Sequence, residues 1–592
     1  MPHHSSVFEQ KAWTLSDLFA HREEFEATFG RLDTLVSAFE SRLAGLTPDM
    51  EATEFLDLVR QLEAISTEMA RLEGYAGLRF SADTQDQTAQ VMVARVDQFS
   101  AQVENRTLLF ELWWKSLDDA DAARFMAASG DYRYWLAMMR RAKPYTLSAA
   151  EEKVINIKDT TGADALQMLY DSLTNRYVFS LEVDGEVKSL TRDELMVYVH
   201  HPDASLRARA YQELYRVYGH DGPILGQMYQ TLVRDWRNEH IGLRGYASPI
   251  APRNLANDIP DEVVDTLLKE CRDNVDVFHR FFRLKARLLG LDRLRRYDIY
   301  APVAATDKTY PFEQAVDMVL SSFARFDGDL ADLARQVFAE GHLDSEVRPG
   351  KRGGAFCWSV APKLTPWVLT NYNGRARDIA TLAHELGHAV HAMLAADHSA
   401  FTYQASLPLA ETASTFGEML LLDDWLAQED DEAVRRDLLF TQMDENYATI
   451  MRQAFFALFE QQAHEMVQAG ATVDELREAY FENLRTQFGD SVDLSDEFGW
   501  EWVSIPHIYH TPFYVYAYSF GQLLVLSLYG RYRQEGASFK GRYLDILRAG
   551  GADSPADILR AAGVDMARAE FWRGGFEVLR EMLQRLEQTS AN

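Results

Sequence analysis

The stretch TLAHELGHAVHAML, residues 381–394, sets three histidines and one glutamate in an otherwise small and apolar run. His384 and His388 are four positions apart, so on a helix they leave one face about 6 Å apart along the axis, and both imidazoles can converge on one metal ion. Glu385 follows the first of them. A carboxylate there does not easily reach the metal position itself, but it reaches a water bound to the ion and can act as that water's general base. This His-Glu-x-x-His order is the pattern of zinc-dependent peptide hydrolysis.

A zinc ion that keeps one position open for water needs a third protein ligand. His391 shares the face, but it lies about 10 Å along the axis from His384, too far to join both histidines. The metzincin pattern requires Gly at 391 and His at 394, and the chain has His391 and Leu394, which excludes that class. Downstream, SLPLAETASTFGEMLLLDDWL places Glu411 and Glu418 among small and apolar neighbours. Acids in such surroundings are costly unless paired or bound to metal. Glu411 is favoured as the third ligand and Glu418 as an outer partner that orients an imidazole, with the reverse assignment left open.

Peptide hydrolysis also builds up an oxyanion that needs hydrogen-bond donors. PHIYHTPFYVYAY gathers His507, Tyr509, His510, Tyr514, Tyr516 and Tyr518 within thirteen residues. On a regular helix Tyr514 and Tyr518 face one way and Tyr516 nearly the opposite way, so these tyrosines cannot all serve one site.

With HELGH followed by Glu411 in LAETAST, the chain resembles the thimet oligopeptidase family of zinc metallopeptidases, and most closely its bacterial oligoendopeptidase F branch. GKRGGAFC, NYNGRARDIATLAHELGHAVH, IPHIYHTPFYVYAYSFG and LRAGGADSP carry the likeness over residues 350–555 at least. The resemblance implies one Zn²⁺ per chain on His384, His388 and Glu411, with Glu385 as catalytic base. It further implies a His and Tyr pair on the oxyanion, which His507 and Tyr516 match best in spacing. The fold it implies is mainly α: a large two-lobed helical zincin-type metallopeptidase, with a deep substrate channel that admits short unstructured peptides. Tyr514, His510, Tyr509, Asn371 and Gly354 are the candidate substrate contacts.

These residues need a frame. Most of the chain reads as helix, with apolar residues at three and four spacing and punctuation such as GLTPDM, SGDYR and DGPIL. The run from Thr47 is expected to open with a Thr cap and Pro48 in the first turn. Asp378 is a candidate cap for the histidine helix. Gly387 inside that helix costs about 1 kcal/mol relative to alanine, a cost that a close approach by another element would explain. YVFSLEVDGEVKSL, residues 177–190, reads as a hairpin around Asp184-Gly185, with a capping pair Thr191 and Glu194 behind it. A domain boundary is expected there, between a helical region 1–190 and a catalytic region 191–592. Residues 346–376 carry Gly, Pro and β-formers and predict a small β-sheet beside the metal-binding helix. KRGGAF and VLTNYNG within it could take a peptide as an added strand.

The bulk properties exclude other functions. A formal charge of -30 over 592 residues argues against nucleic acid or an anionic membrane as partner. Cys271 and Cys357 are the only cysteines, which argues against a disulfide framework and fits a cytoplasmic location. No secretory signal is visible at the amino terminus. The uncharged run TPFYVYAYSFGQLLVLSLYG, residues 511–530, is read as a buried helix, being poor in Leu and Ile for a membrane span. His464-Glu465 lacks a histidine at 468 and reads as part of an ordinary helix. Oligomeric state is left open. The expected activity is a zinc endopeptidase on oligopeptides. Its alternatives are a zinc carboxypeptidase or dipeptidyl carboxypeptidase, and more remotely a catalytically inert helical peptide-binding protein.

Overall fold

The computed structural model describes residues 8–303 and 308–589. Helices dominate it, and each sheet has no more than three strands. Packing divides the chain into two units of discontinuous sequence. One comprises Met1–Lys143, Asp307–Gln428 and Arg531–Val564, and the other Pro144–Thr306, Glu429–Gly530 and Asp565–Asn592. The division therefore departs from the linear boundary expected at residue 190. Helices from the first 143 residues share a core with chain that follows residue 307.

In the first unit, the helices Arg22–Leu43, Ala52–Ala82 and Gln87–Ser116 pack on one another through Phe25, Leu32, Phe55, Leu72, Phe110 and Trp114. The second helix begins later than its TPDM run suggests: residues 47–50 close a turn, Met50 N–H to Thr47 C=O at 3.3 Å, and helix starts only at Ala52. The same apolar cluster takes in Val360, Trp367 and Leu369 of the following sheet region. Gly74 and Gly77 permit this contact. A Cβ on Gly74 would stand 2.7 Å from Val360, and one on Gly77 would stand 2.5 Å from the Trp358 ring.

The sheet has Trp367–Leu369 at its centre, Leu343–Asp344 parallel on one side and Phe356–Trp358 antiparallel on the other. Phe356 lies opposite Leu369 and Trp358 opposite Trp367, so Phe356–Trp358 is an edge strand. Against this sheet packs the helix Ala376–Leu394, which also meets Gly328–Ala339 and, most extensively, Ser414–Gln428. The Asp378 carboxylate accepts from the amides of Asn373 and Arg375 at 2.7 and 3.0 Å, holding the first turn from inside the helix.

The second unit contains the hairpin Phe179–Val183 and Glu186–Leu190, turned by Asp184 and Gly185 with both φ values positive. Thr191 and Glu194 form the capping box of the next helix. Its core buries charge as well as apolar groups. The Arg296 guanidinium donates to Glu501 at 2.8 Å, Arg452 donates to the same oxygen at 3.0 Å, and Lys285 donates to Asp444 at 2.7 Å. His464 is fully buried in the helix Arg452–Gln468. Residues 511–530 are helical only from Tyr516, and among the described residues no helix is long and apolar enough to cross a membrane.

Candidate active site

His384, His388 and Glu411 meet in the first unit. His384 Nε2 and His388 Nε2 are 3.2 Å apart, and Glu411 Oε2 is 3.3 Å from the first and 3.5 Å from the second. An ion bound tetrahedrally at about 2.0–2.1 Å sets its ligands about 3.3–3.4 Å apart, so this near-equilateral triangle fits one zinc-sized ion. The donor chemistry agrees. His384 Nδ1 faces Glu418 Oε1 at 2.5 Å and so carries its proton there, which leaves Nε2 as a lone pair turned towards the triangle. His388 is likewise engaged by the Ala410 backbone. Burial lowers the His384 pKa, yet the Glu418 hydrogen bond and the carboxylates of Glu418, Glu411 and Glu385 outweigh it and lift the ring to about 9. The carboxylates thus favour a cation at Nε2, a second proton when no metal is bound and a metal ion in its place when one is.

Three local devices hold the triangle. The helix period aligns the histidines. Gly387 admits the chain that carries the acid: a Cβ there would stand 2.6 Å from Ser414 Cα and 2.7 Å from the Ala413 carbonyl oxygen. Ser414 Oγ then donates to Glu411 Oε2 at 2.7 Å.

A cleft of about 540 Å³ opens beside the triangle, lined by residues 355–359, 403–405, His384, Glu385, His388, His391, Ala392 and Ala410. Glu385 is 6% exposed. Burial pushes its carboxyl up to about 7, His384 opposes the rise, and Glu411 and Glu418 add to it. His391 stands in the wall rather than in the triangle, and burial, aided by His388, lowers it to about 4. The edge strand Phe356–Trp358 forms one side of the cleft, whereas VLT of VLTNYNG is central in the sheet and offers no free edge. Asn371 and Gly354 are neighbours outside the wall. The Asn371 amide donates to the carbonyls of Arg352 and Gly354 at 3.1 and 2.9 Å, and so shapes the loop that leads into the edge strand.

Tyr403, Gln404 and Ser359, absent from the expected set, also line the cleft. The Tyr403 hydroxyl and the Gln404 amide both donate to the Ser359 carbonyl, at 2.8 and 3.1 Å. No spacing rule links residues 359 and 403, so the sequence carries no signal for them.

The aromatic residues 507–518 belong to the second unit and sort differently from expectation. Tyr516 is fully buried, and its hydroxyl accepts from the Asn257 amide at 3.0 Å. Tyr509 is also buried, stacked on Tyr170 at 4.0 Å with its hydroxyl donating to the Leu225 carbonyl at 3.3 Å. Neither faces the outside, because both pack on the inner side of their segment. His510 pairs with Asp171 at 2.9 Å. His507 is exposed and keeps company with Tyr518, hydroxyl to Nε2 at 3.5 Å, and with Tyr514, ring centroids at 6.2 Å. The expected partnership of His507 with Tyr516 thus gives way to one with Tyr518 and Tyr514. The part of the ring turned inwards loses hydration, and this, with His510 and Arg452 nearby, lowers the His507 pKa.

The model of peptidase family M3 matches residues 197–578, and that of oligopeptidase F matches residues 113–179. The two matches separate at the hairpin, although packing joins the N-terminal helices to the peptidase centre. Over 99% of its length the chain is 27% identical to oligopeptidase PepF of Bacillus subtilis, covering 88% of that protein. It is 28% identical over 99% of its length to group B oligopeptidase PepB of Streptococcus agalactiae, covering 98% of it. A crystal structure of a putative peptidase from Chlamydophila abortus superposes with a TM-score of 0.91 at 25% identity, over 99% of both chains. Oligoendopeptidase-F from Enterococcus faecium shares the fold with a TM-score of 0.69, at 24% identity over 96% of this chain and 99% of that one. With the family model spanning well over half its length around the His384, His388 and Glu411 cluster, the chain belongs to peptidase family M3 and is a metallopeptidase.

Proposed function

We propose that the protein is a zinc-dependent oligoendopeptidase that cuts internal bonds of short peptides in the cytoplasm. The observation that carries this reading is the triangle of His384, His388 and Glu411 with Glu385 in the wall of the same cleft. The names of the oligopeptidase relatives support the substrate class.

His384, His388 and Glu411 would hold the ion, and Glu418 fixes the His384 ring. Bound there, zinc supplies a Lewis acid that activates water and polarises the scissile carbonyl. Glu385 accepts the proton of the attacking water and delivers it to the leaving amine. Its buried, raised carboxyl suits a group that must both take and give a proton near neutral pH. The edge strand Phe356–Trp358 offers unpaired backbone groups to an extended peptide, and recognition through backbone tolerates many side chains. To His507 and Tyr518 we assign hydrogen-bond donation to the oxyanion, with Tyr514 contacting substrate. Their exposure and mutual contacts support the assignment.

A mixed peptide library digested by wild type and by Glu385→Gln, with and without chelator, tests the reading. Internal cuts made only by metal-loaded wild type are expected. Equal activity of the variant, or cuts confined to a fixed distance from the carboxyl terminus, would overturn it.

A further inference from the structure

We propose that Asp17, Glu340 and His342 form a second divalent-cation site, distinct from the peptidase centre. One ligand atom from each of the three lies within 4.8 Å of the others.

The imidazole is the strongest evidence. His342 is fully buried, and its Nδ1 bonds the Thr365 carbonyl at 2.8 Å, so the proton resides on Nδ1 and Nε2 presents a lone pair. That Nε2 lies 3.2 Å from Asp17 Oδ2 but makes no hydrogen bond of proper geometry with it, so the ring aims beside the carboxylate rather than at it. Stacking on Trp367, with centroids 4.0 Å apart and planes 18° from parallel, fixes this aim. A backbone carbonyl on one nitrogen and carboxylates around the other is the arrangement that orients a metal-binding histidine.

The surrounding chain builds the rest. The helix Gly328–Ala339 ends at Glu340, and Gly341, with φ of 70°, turns the chain so that the His342 amide donates back to Val337 at 2.9 Å. This turn sets His342 beside Glu340. Gln336 donates to Glu340 Oε1 at 2.8 Å and to Thr365 Oγ1 at 2.9 Å, so Thr365 steadies both ligands. Two carboxylates and a neutral imidazole match the charge of a divalent ion, and a donor set of one nitrogen and two oxygens suits zinc or manganese.

Bound there, the ion joins the amino-terminal segment to the sheet beside the peptidase centre. The segment already lies along that sheet: the Thr14 amide donates to Gly341 at 2.8 Å, the Ser345 amide to Lys11 at 3.1 Å, and the Trp367 indole to Thr14 at 2.8 Å.

The test is equilibrium dialysis of chelator-treated full-length protein against zinc, with metal and protein both quantified. Wild type is expected to hold two ions per chain. Asp17→Asn with Glu340→Gln should hold one and keep its peptidase activity, and His388→Ala should also hold one. In a His388→Ala background, zinc should raise the melting temperature, and adding Asp17→Asn, a change at an exposed residue that leaves the core intact, should abolish the rise. Wild type saturating at one ion, as a plain imidazolium–carboxylate pair would give, overturns the proposal. So does a double variant that holds as much zinc as wild type.

Discussion

Gly387 and Ser414 meet backbone to backbone, with Ser414 Cα only 2.6 Å from the place a Cβ on Gly387 would take. Because Ser414 Oγ holds Glu411, the glycine sets the distance between the two halves of the ligand triangle. Gly387→Ala would gain helix propensity but push Glu411 outwards. A misplacement of about 1 Å costs on the order of 100-fold in rate, and that loss in kcat/KM, with reduced zinc content in the purified variant, is the expected result.

Glu385→Gln removes the proposed base and leaves the three proposed ligands in place. Zinc content should stay at the wild-type level while kcat falls by about 100- to 10,000-fold. Metal analysis run beside peptide hydrolysis separates this outcome from loss of the ion.

Glu418→Gln should weaken metal binding without touching a ligand. The carboxylate at 2.5 Å from His384 Nδ1 fixes the tautomer and the ring angle. Loss of such a partner lowers metal affinity about 10- to 100-fold, measurable by competition with a chromophoric chelator.

Tyr518→Phe and Tyr516→Phe distinguish the exposed partner of His507 from the buried tyrosine. The first should lower kcat about 100- to 1,000-fold with KM little changed, as removal of an oxyanion donor does. The second should cost only the Asn257 hydrogen bond, about 0.5–1.5 kcal/mol of stability in denaturant unfolding, with kcat retained.

Glu460 gives a prediction in pH. Burial raises its carboxyl to about 8, against the hydrogen bond from the Phe513 amide and the charge of Arg253, which lower it. The folded protein therefore binds this proton more tightly than the unfolded chain does. Its contribution to stability falls as pH rises from the ordinary carboxylate range through about 8. Glu460→Gln keeps an acceptor for Phe513 and cannot ionise, so its melting temperature should vary less with pH across that window.

The cluster of His384, His388 and Glu411 was legible because the helical period alone aligns the two histidines and because an acid among apolar neighbours needs a partner. The partner of His507 was not. The short helix His507–His510 is separated from Tyr516–Glu535 by a turn in which Phe513 has φ of 60°, and periodicity does not carry register across such a break. The β-forming runs of residues 346–376 were visible, but nothing local to them says which strand is central and which lies at the edge. The hairpin itself was legible from Asp184-Gly185 and lies in the gap between the two family matches, while packing into units follows other bounds. Pattern along the chain is blind to Gly74 and Gly77, whose partners lie more than 280 residues away.

That last separation has a meaning in time. Chains lengthen by about 5–20 residues per second, so Gly74 and Gly77 leave the ribosome on the order of tens of seconds before Val360 and Trp358 arrive to cover them. Meanwhile the nascent helices have only their mutual contacts, and the flank that Val360 and Trp358 later cover stays open.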